Sequence, residues 1–455
     1  MTLIQDFSQL ARLIDPLAMR GLYHFRPIDA FSIDSRAIVP GCAYIALKGA
    51  HKDGHEFIRD AIKKGACAII CERDILPRPH VPFFIVGDSY QALARITSYV
   101  RRVKKPYVCA ITGSIGKTTT KEMLSAVMAP EGAIIKNYKT ENNLLGVAKT
   151  IFSLRDEPRM VLELGTNHPG EIAQLSSIVR PQLGVVTFVK PVHLEGFGSL
   201  RGVCREKMSL FTASPGTTAV LNRDDACLKR ITRPKKIIWF GMSRSCSVRA
   251  SLIKTTREES VFLINGMHRL RLASPFEGFV YNALAALAAS SVMGVRLGPA
   301  VARLSSFREF PSQRLQITRT KDYLYINDAY NSNPYALQES LKMLDRFPEP
   351  KIAVLGDMLE LGEKSVYYHT QAAKLVLARK FDHVYTVGEC MNHLAKALKK
   401  SGYRRVSHCE NSSEIARAIR RQARRGSLIF LKGSRKMELE KVMMSLSSGQ
   451  KSTKK

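Results

Sequence analysis

The sequence predicts an α/β fold with mostly parallel sheets, divided into three segments. Three observations carry this. Short apolar runs end again and again in Gly, Asp or Asn, as at residues 107–112 before Gly113 and 351–355 before Gly356-Asp357. Amphipathic stretches of helical length, such as 118–128 and 335–345, lie between many of them, and such alternation argues for βα units. The chain has 455 residues, more than one hydrophobic core organises.

In chain order, strands are expected at 107–112, 160–164, 184–189, 218–221, 323–326, 351–355, 383–387 and 427–431. Each is a run of β-branched and aliphatic residues of the kind buried on both faces of a sheet. In parallel sheets ligands collect beyond the carboxyl ends of the strands, and the Gly, Asp and Asn residues stand there. The charged stretch 101–106, RRVKKP, reads as a linker, and 307–312, which contains Pro311, reads as a second boundary. The three segments are then 1–104, 105–312 and 313–455, with a polar, basic tail at 447–455 expected to fray.

Composition narrows the class. Hydrophobic residues are 45% and charged residues 24%, which excludes a disordered or fibrous chain. A net charge of +31 points to anionic partners. Arg417, Arg420, Arg421 and Arg424 fall on one helical face and Ile415, Ile419 and Ala423 on another, which reads as an outer helix with a solvated basic side. No zinc-finger spacing, aromatic RNA-binding motif or helix-turn-helix accompanies the charge, so no nucleic-acid partner is expected. Nine scattered cysteines give neither a disulfide framework nor a zinc site, and fit a reducing cytosol. No run of about 18 apolar residues predicts a membrane span, and residues 1–15 do not read as a signal peptide.

The most informative stretch is CAITGSIGKTTTKE at 109–122. A strand leads into Thr112, Gly113, Ser114, Ile115, Gly116, Lys117 and Thr118, and a helix follows. Glycines let backbone N–H groups curl around phosphate oxygens at the positive end of a helix. Lys117 then reaches the β and γ phosphates, and the Thr118 hydroxyl serves Mg²⁺. Ile111 stands where a generic P-loop has its first Gly, so this is a shorter form, T-G-S-x-G-K-T. Glu163, in VLELGTNH, closes an apolar run and brings a carboxylate toward the metal. His193, in KPVHLEGFGS, follows the strand at 184–189. Lys207, in CREKMSLF, reads by itself as a surface lysine.

Taken together, these segments resemble the Mur ligase family across nearly the whole chain. The blocks are SIDSRAIVPGCAYIALKG at 32–49, DGHEF at 53–57, ENNLLG at 141–146 and ELGTNHPGEI at 163–172. They continue with HLEGFGSL at 193–200, YNALAA at 281–286, INDAYNSNP at 326–334, VLGDMLELGE at 354–363 and LKGSR at 431–435. The resemblance implies an N-terminal domain holding a UDP-sugar, a central P-loop domain and a C-terminal Rossmann-like domain. It implies ATP and Mg²⁺, with Thr118 and Glu163 holding one ion, His193 helping hold a second, and Lys207 carbamylated. A carbamate turns an ammonium into an anionic oxygen ligand, which a hard cation prefers. Asn282 is then expected at the adenine, and Arg314 and Asp328 at the γ-phosphate and ribose. Ser35, Arg36, Lys48, Asn142, Asn143, Thr166 and Asp357 are expected to bind the other substrates.

The DMLELGE and HLEGFGS blocks look specific to the family member that adds D-alanyl-D-alanine to a UDP-N-acetylmuramoyl-tripeptide, and the DNPR block of the diaminopimelate-adding relative is absent. The implied protein is a cytoplasmic, monomeric ligase of cell-wall precursor synthesis. Either diaminopimelate or lysine fits as the third residue of the peptide. Two departures stand out: Gly278-Phe279 where relatives have H-N, and KTENN at 139–143 where they have G-N-x-N-N. Two rivals keep parts of the pattern. A folylpolyglutamate-synthase-like ligase shares the P-loop but not the first-segment blocks. A nucleic-acid-stimulated P-loop ATPase would use the basic surface and lose activity steeply with salt.

Overall fold

The computed structural model describes residues 2–74 and 80–448, so most of the basic tail, 449–455, lies outside the described residues. Within them the chain builds three sheets, one per segment. The first, in spatial order, is Ala18–Arg20, Phe83–Ile85, Ala68–Cys71, Cys42–Ile45 and Ala30–Ser32, parallel except at the Ala18–Arg20 edge.

The second sheet has nine strands. Six of them run parallel in the order Ile237–Gly241, Thr218–Asn222, Leu183–Val186, Tyr107–Thr112, Arg159–Glu163 and Ile134–Lys136. Val248–Thr255 pairs parallel with the outer edge, then turns into an antiparallel meander with Ser260–Ile264 and His268–Leu272. That meander has no counterpart in the expected strand series. Val248–Thr255 is mostly exposed along its second half and His268–Leu272 alternates exposed with buried residues, weaker signals than a continuous apolar run. The third sheet orders Gln316–Arg319, Leu324–Asp328, Leu428–Lys432, Lys351–Gly356, His383–Val387 and Val406–Cys409, parallel except at the Gln316–Arg319 edge.

Register places the strand ends side by side. Ile111 pairs with Glu163 and Thr112 with Val186, which brings the phosphate loop beside the strand-end carboxylate. Asp328 pairs with Lys432 in the third sheet. The expected run at 184–189 is strand only through Val186; Thr187–Val189 leave the sheet and pass beneath the loop, where Ser114 N donates to Phe188 O at 2.7 Å.

The stretch read as a linker is not one. Residues 101–104 are the last turn of the helix Ser89–Lys104, closed by Lys105 in the left-handed region with Pro106 behind it. Arg101 is buried and donates to the carbonyls of Val179 and Arg180, so it docks the first segment on the second. One apolar cluster runs from Met123 and Leu124 through Ala283–Leu287, a range on the helix Phe279–Val292, to Leu324, Leu355 and Phe430. The second and third segments therefore pack against each other through a continuous core. All nine cysteines are free thiols, and no described helix is long and apolar enough to cross a membrane.

Candidate active site

Between the second and third sheets lies a cavity of about 510 Å³, lined on one side by the phosphate loop and on the other by strand ends of the third sheet. The strand Tyr107–Thr112 delivers the loop, and the helix Lys117–Met128 carries it away. Gly116 has φ +84, and a Cβ there would meet the Asn282 amide nitrogen at 2.2 Å. Gly113 is as tight, since a Cβ would meet Thr187 Oγ1 at 2.1 Å. Both glycines are required by close approach and by a positive φ that L side chains rarely adopt. Ser114 Oγ is bonded to Lys190 through both its backbone groups, which ties down the tip, and Ser114, Ile115 and Gly116 line the cavity.

Lys117 folds back, donating to Gly113 O at 2.8 Å. Desolvation in the cleft lowers its pKa; nearby Glu163 opposes this and Arg314 adds to it. Thr118 is buried, and its Oγ1 accepts from Arg314 at 3.1 Å. Arg314 comes from the third segment and also stacks its guanidinium 4.2 Å from the Tyr330 ring, so the two segments meet on the phosphate loop. Thr112 lies beneath, donating to Leu164 O at 2.9 Å.

Glu163 is 1% exposed. Its Oε1 accepts from Asn142 at 2.8 Å, while its Oε2 is buried without a hydrogen-bond partner. A buried carboxylate oxygen left open costs free energy unless a cation answers it. Among the described residues no three His, Cys, Asp or Glu side chains cluster as a metal cage. One carboxylate beside a phosphate cradle is the way Mg²⁺ is commonly held, with substrate phosphates completing the sphere, so the donor set fits that ion.

His193 lines the cavity at φ +50, with Nδ1 2.5 Å from Glu360 Oε2. The approach is off-line for Nδ1, yet the imidazole beside it lowers the Glu360 pKa. Lys207 is 1% exposed, so the surface reading is wrong. Burial first, and the Lys117 charge second, pull its pKa well below the ordinary lysine value, against Glu206, Glu171 and Glu163.

Asn282 lines the cavity, but its Nδ2 donates to Gly116 O at 3.0 Å and Thr120 Oγ1 at 3.1 Å. It braces the phosphate loop. Around it, Gly278 and Phe279 join Phe276 and Tyr281 in the wall, and Phe279 stacks on Phe310 at 4.8 Å. Asp328 is held by Lys432 Nζ at 2.8 Å and Ser340 Oγ at 2.6 Å.

Among the expected substrate residues, Asn142 and Thr166 reach the cavity. Asn143 instead caps the helix Leu144–Phe152, accepting from Gly146 N at 3.1 Å. Asp357 is 5% exposed and outside the cavity wall, and its oxygens accept from Met391 N at 2.7 Å and Cys390 N at 3.2 Å. This geometry makes it a cap on the first N–H groups of the helix Met391–Lys400. Ser35, Arg36 and Lys48 lie on the first segment, away from the cavity. Arg36 pairs with Asp34 at 2.8 Å and brings that carboxyl down to about 2. In the DGHEF block, His55 bridges Asp53 and Glu72 N, which is a structural role.

Other contributors were not singled out from sequence. Lys121 is fully buried and donates to Asn137 O at 2.7 Å. Asn137 in turn grips the Glu163 backbone through both N and O. Glu206 accepts from Gly170 N and Ile172 N at 2.8 Å each, fixing the Thr166 loop. Lys121 and Lys432 stood inside quoted motifs, but nothing in a one-dimensional pattern tells a buried lysine from a surface one.

The chain matches three family descriptions in order: the Mur ligase family catalytic domain at 27–103, the Mur ligase middle domain at 111–290, and the Mur ligase glutamate ligase domain at 313–435. It is 32% identical to the UDP-N-acetylmuramoyl-tripeptide–D-alanyl-D-alanine ligase of Buchnera aphidicola from Acyrthosiphon pisum, covering 92% of this chain and 93% of the relative. To the enzyme of that name from Escherichia coli K12 it is 31% identical, over 92% and 94%. Among solved structures, MurF from Acinetobacter baumannii superposes with a TM-score of 0.85 at 28% identity, covering 97% of this chain and 98% of that one. MurF ligase from Thermotoga maritima in complex with ADP gives 0.81 at 26%, over 92% and 97%. With one cleft framed by a phosphate loop, a strand-end carboxylate and residues of the third sheet, and with likeness running the full length of its relatives, the chain belongs to the Mur ligase family.

Proposed function

We infer that this chain is an ATP-dependent ligase that joins D-alanyl-D-alanine to a UDP-N-acetylmuramoyl-tripeptide, in the synthesis of cell-wall peptidoglycan precursor. The observation that carries this is the near-full-length likeness to relatives so named, together with a phosphate loop that opens into the cavity between segments. We read 1–104 as the UDP-sugar domain, 105–312 as the ATP domain and 313–455 as the domain that brings the amine and closes on ATP.

A carboxylate is a poor acyl donor, and phosphorylation gives it a leaving group. One carboxylate oxygen of the peptide attacks the γ-phosphorus; the O–P bond forms as the bond to the β-phosphate oxygen breaks, releasing ADP. The dipeptide nitrogen then attacks the acyl carbon, the C–O bond to phosphate breaks, and the amine gives up a proton. Loop N–H groups and Lys117 hold the phosphates, and Arg314 supplies a second cation from the facing segment. Asn142 and Thr166 lie on the acceptor side. Thr118, Glu163, His193 and a carbamylated Lys207 would hold Mg²⁺, which when bound screens charge on the phosphoryl group. The packed interface between segments keeps water from the acyl phosphate.

The test is phosphate release with ATP, the UDP-tripeptide and each candidate amine. Release that requires D-alanyl-D-alanine, and disappears in a folded Lys117→Ala variant, supports the reading. Equal release with L-glutamate in place of the dipeptide would favour the folylpolyglutamate-synthase-like rival.

A further inference from the structure

Five carboxylates line the cavity: Glu163, Glu277, Asp328, Glu339 and Glu360. Glu163 is 1% exposed, accepts from Asn142 through one oxygen and leaves the other buried and open. Glu277 pairs with Arg346 and accepts from Thr255 at 2.9 Å. Asp328 is held by Lys432 and Ser340. Glu339 pairs with Lys342 at 2.7 Å. Glu360 differs from all of these. Its side chain is 48% exposed, and its close contact is the off-line His193 imidazole 2.5 Å away, which lowers its pKa.

The backbone explains why Glu360 faces the cavity. It sits at φ +65, a region side chains other than glycine rarely adopt. Neighbours on both sides are locked: Met358 is 1% and Leu361 2% exposed in the core, and Asp357 caps the helix Met391–Lys400. The strained turn sends one carboxylate out of an otherwise anchored segment.

We propose that Glu360 receives the ammonium group of the incoming dipeptide. The assignment rests on the ligase reading above. Lys117 and Arg314, which meet at the phosphate loop, suit phosphate and the acceptor carboxylate. An amine needs an anion. Glu163 also keeps an open oxygen, but it is buried and belongs with the proposed metal ligands; Glu360, on the third segment, has the most exposed side chain of the five lining carboxylates. A charge-assisted hydrogen bond from an ammonium is stronger than the off-line imidazole contact it displaces. Because the dipeptide is a zwitterion, it also brings a carboxylate, and exposed Lys436 is a charged neighbour of Glu360.

The experiment uses the full chain with Glu360→Gln, nearly isosteric and uncharged, and Glu360→Asp, charged but shorter. Thermal melts check that both fold. Expected is a rise in KM for D-alanyl-D-alanine of at least about tenfold in the Gln variant, a smaller rise in the Asp variant, and little change in KM for ATP or the UDP-tripeptide. N-acetyl-D-alanyl-D-alanine, which has no ammonium, should inhibit wild type far more weakly than the free dipeptide binds, and Glu360→Gln should erase that preference. An unchanged dipeptide KM in Glu360→Gln with a raised Mg²⁺ requirement would overturn the assignment, and would make Glu360 a positioning residue for His193. Wild-type protein that releases no phosphate with D-alanyl-D-alanine would overturn the ligase reading and this assignment with it.

Discussion

Lys207 shows how far a residue's chemistry depends on where it is buried. An ordinary lysine has a pKa of about 10.4 and stays cationic at neutral pH. Here burial and the Lys117 charge favour the neutral amine, which is the form that attacks CO₂. The resulting carbamate would present anionic oxygens where an ammonium would be repelled by a metal. Lys207→Ala should therefore lose activity, and Lys207→Arg should fail to restore it. Acetate or propionate should partly rescue the Ala variant by filling the vacated anion position. Wild-type rates in the Arg variant would sink the carbamate role. Sequence marked Lys117 and Glu163 because each ends or begins an element; it could not mark Lys207, whose role depends on the neighbours that folding brings to it.

At the scale of elements, strand–loop–helix punctuation was readable. The helix Lys117–Met128 begins one residue before its expected start, and the strands Tyr107–Thr112 and His383–Val387 match their expected bounds. Less readable were side chains at element ends, because an Asp or Asn there suits a ligand and a helix N-terminus equally well. Asn143 and Asp357 both proved to be caps. Asp357→Ala leaves two buried or half-buried N–H groups of the helix Met391–Lys400 without an acceptor. It should cost about 1–2 kcal/mol of stability, read as a lower melting temperature. Any shift in dipeptide KM should be smaller than that of Glu360→Gln.

For the whole molecule, the cavity draws on two segments that share one core. Ligand that bridges them binds only the folded, docked state. Mg·ATP at about 100 times its Kd should therefore stabilise the protein by about 2.7 kcal/mol, seen as a rise in melting temperature that Lys117→Ala abolishes. The net charge of +31 is spread along the chain. Added DNA at low salt should leave phosphate release unchanged, and stimulation that falls steeply with salt would favour the nucleic-acid reading.

By itself the sequence determined the α/β class, the positions of many strands along the chain, the glycine-rich strand–loop–helix at 107–128 and the family, since each is written in local spacing and in blocks of adjacent residues. Tertiary structure alone decided which polar residues are buried, which strand-end carboxylates are already engaged, and that the supposed linker at 101–106 is a docked helix end. The physical reason is that a polar side chain's role follows from its desolvation and its partners. For Lys121, Asn137, Lys432 and Glu360 those partners lie on other strands or across the cleft, at distances in the chain that no local pattern records.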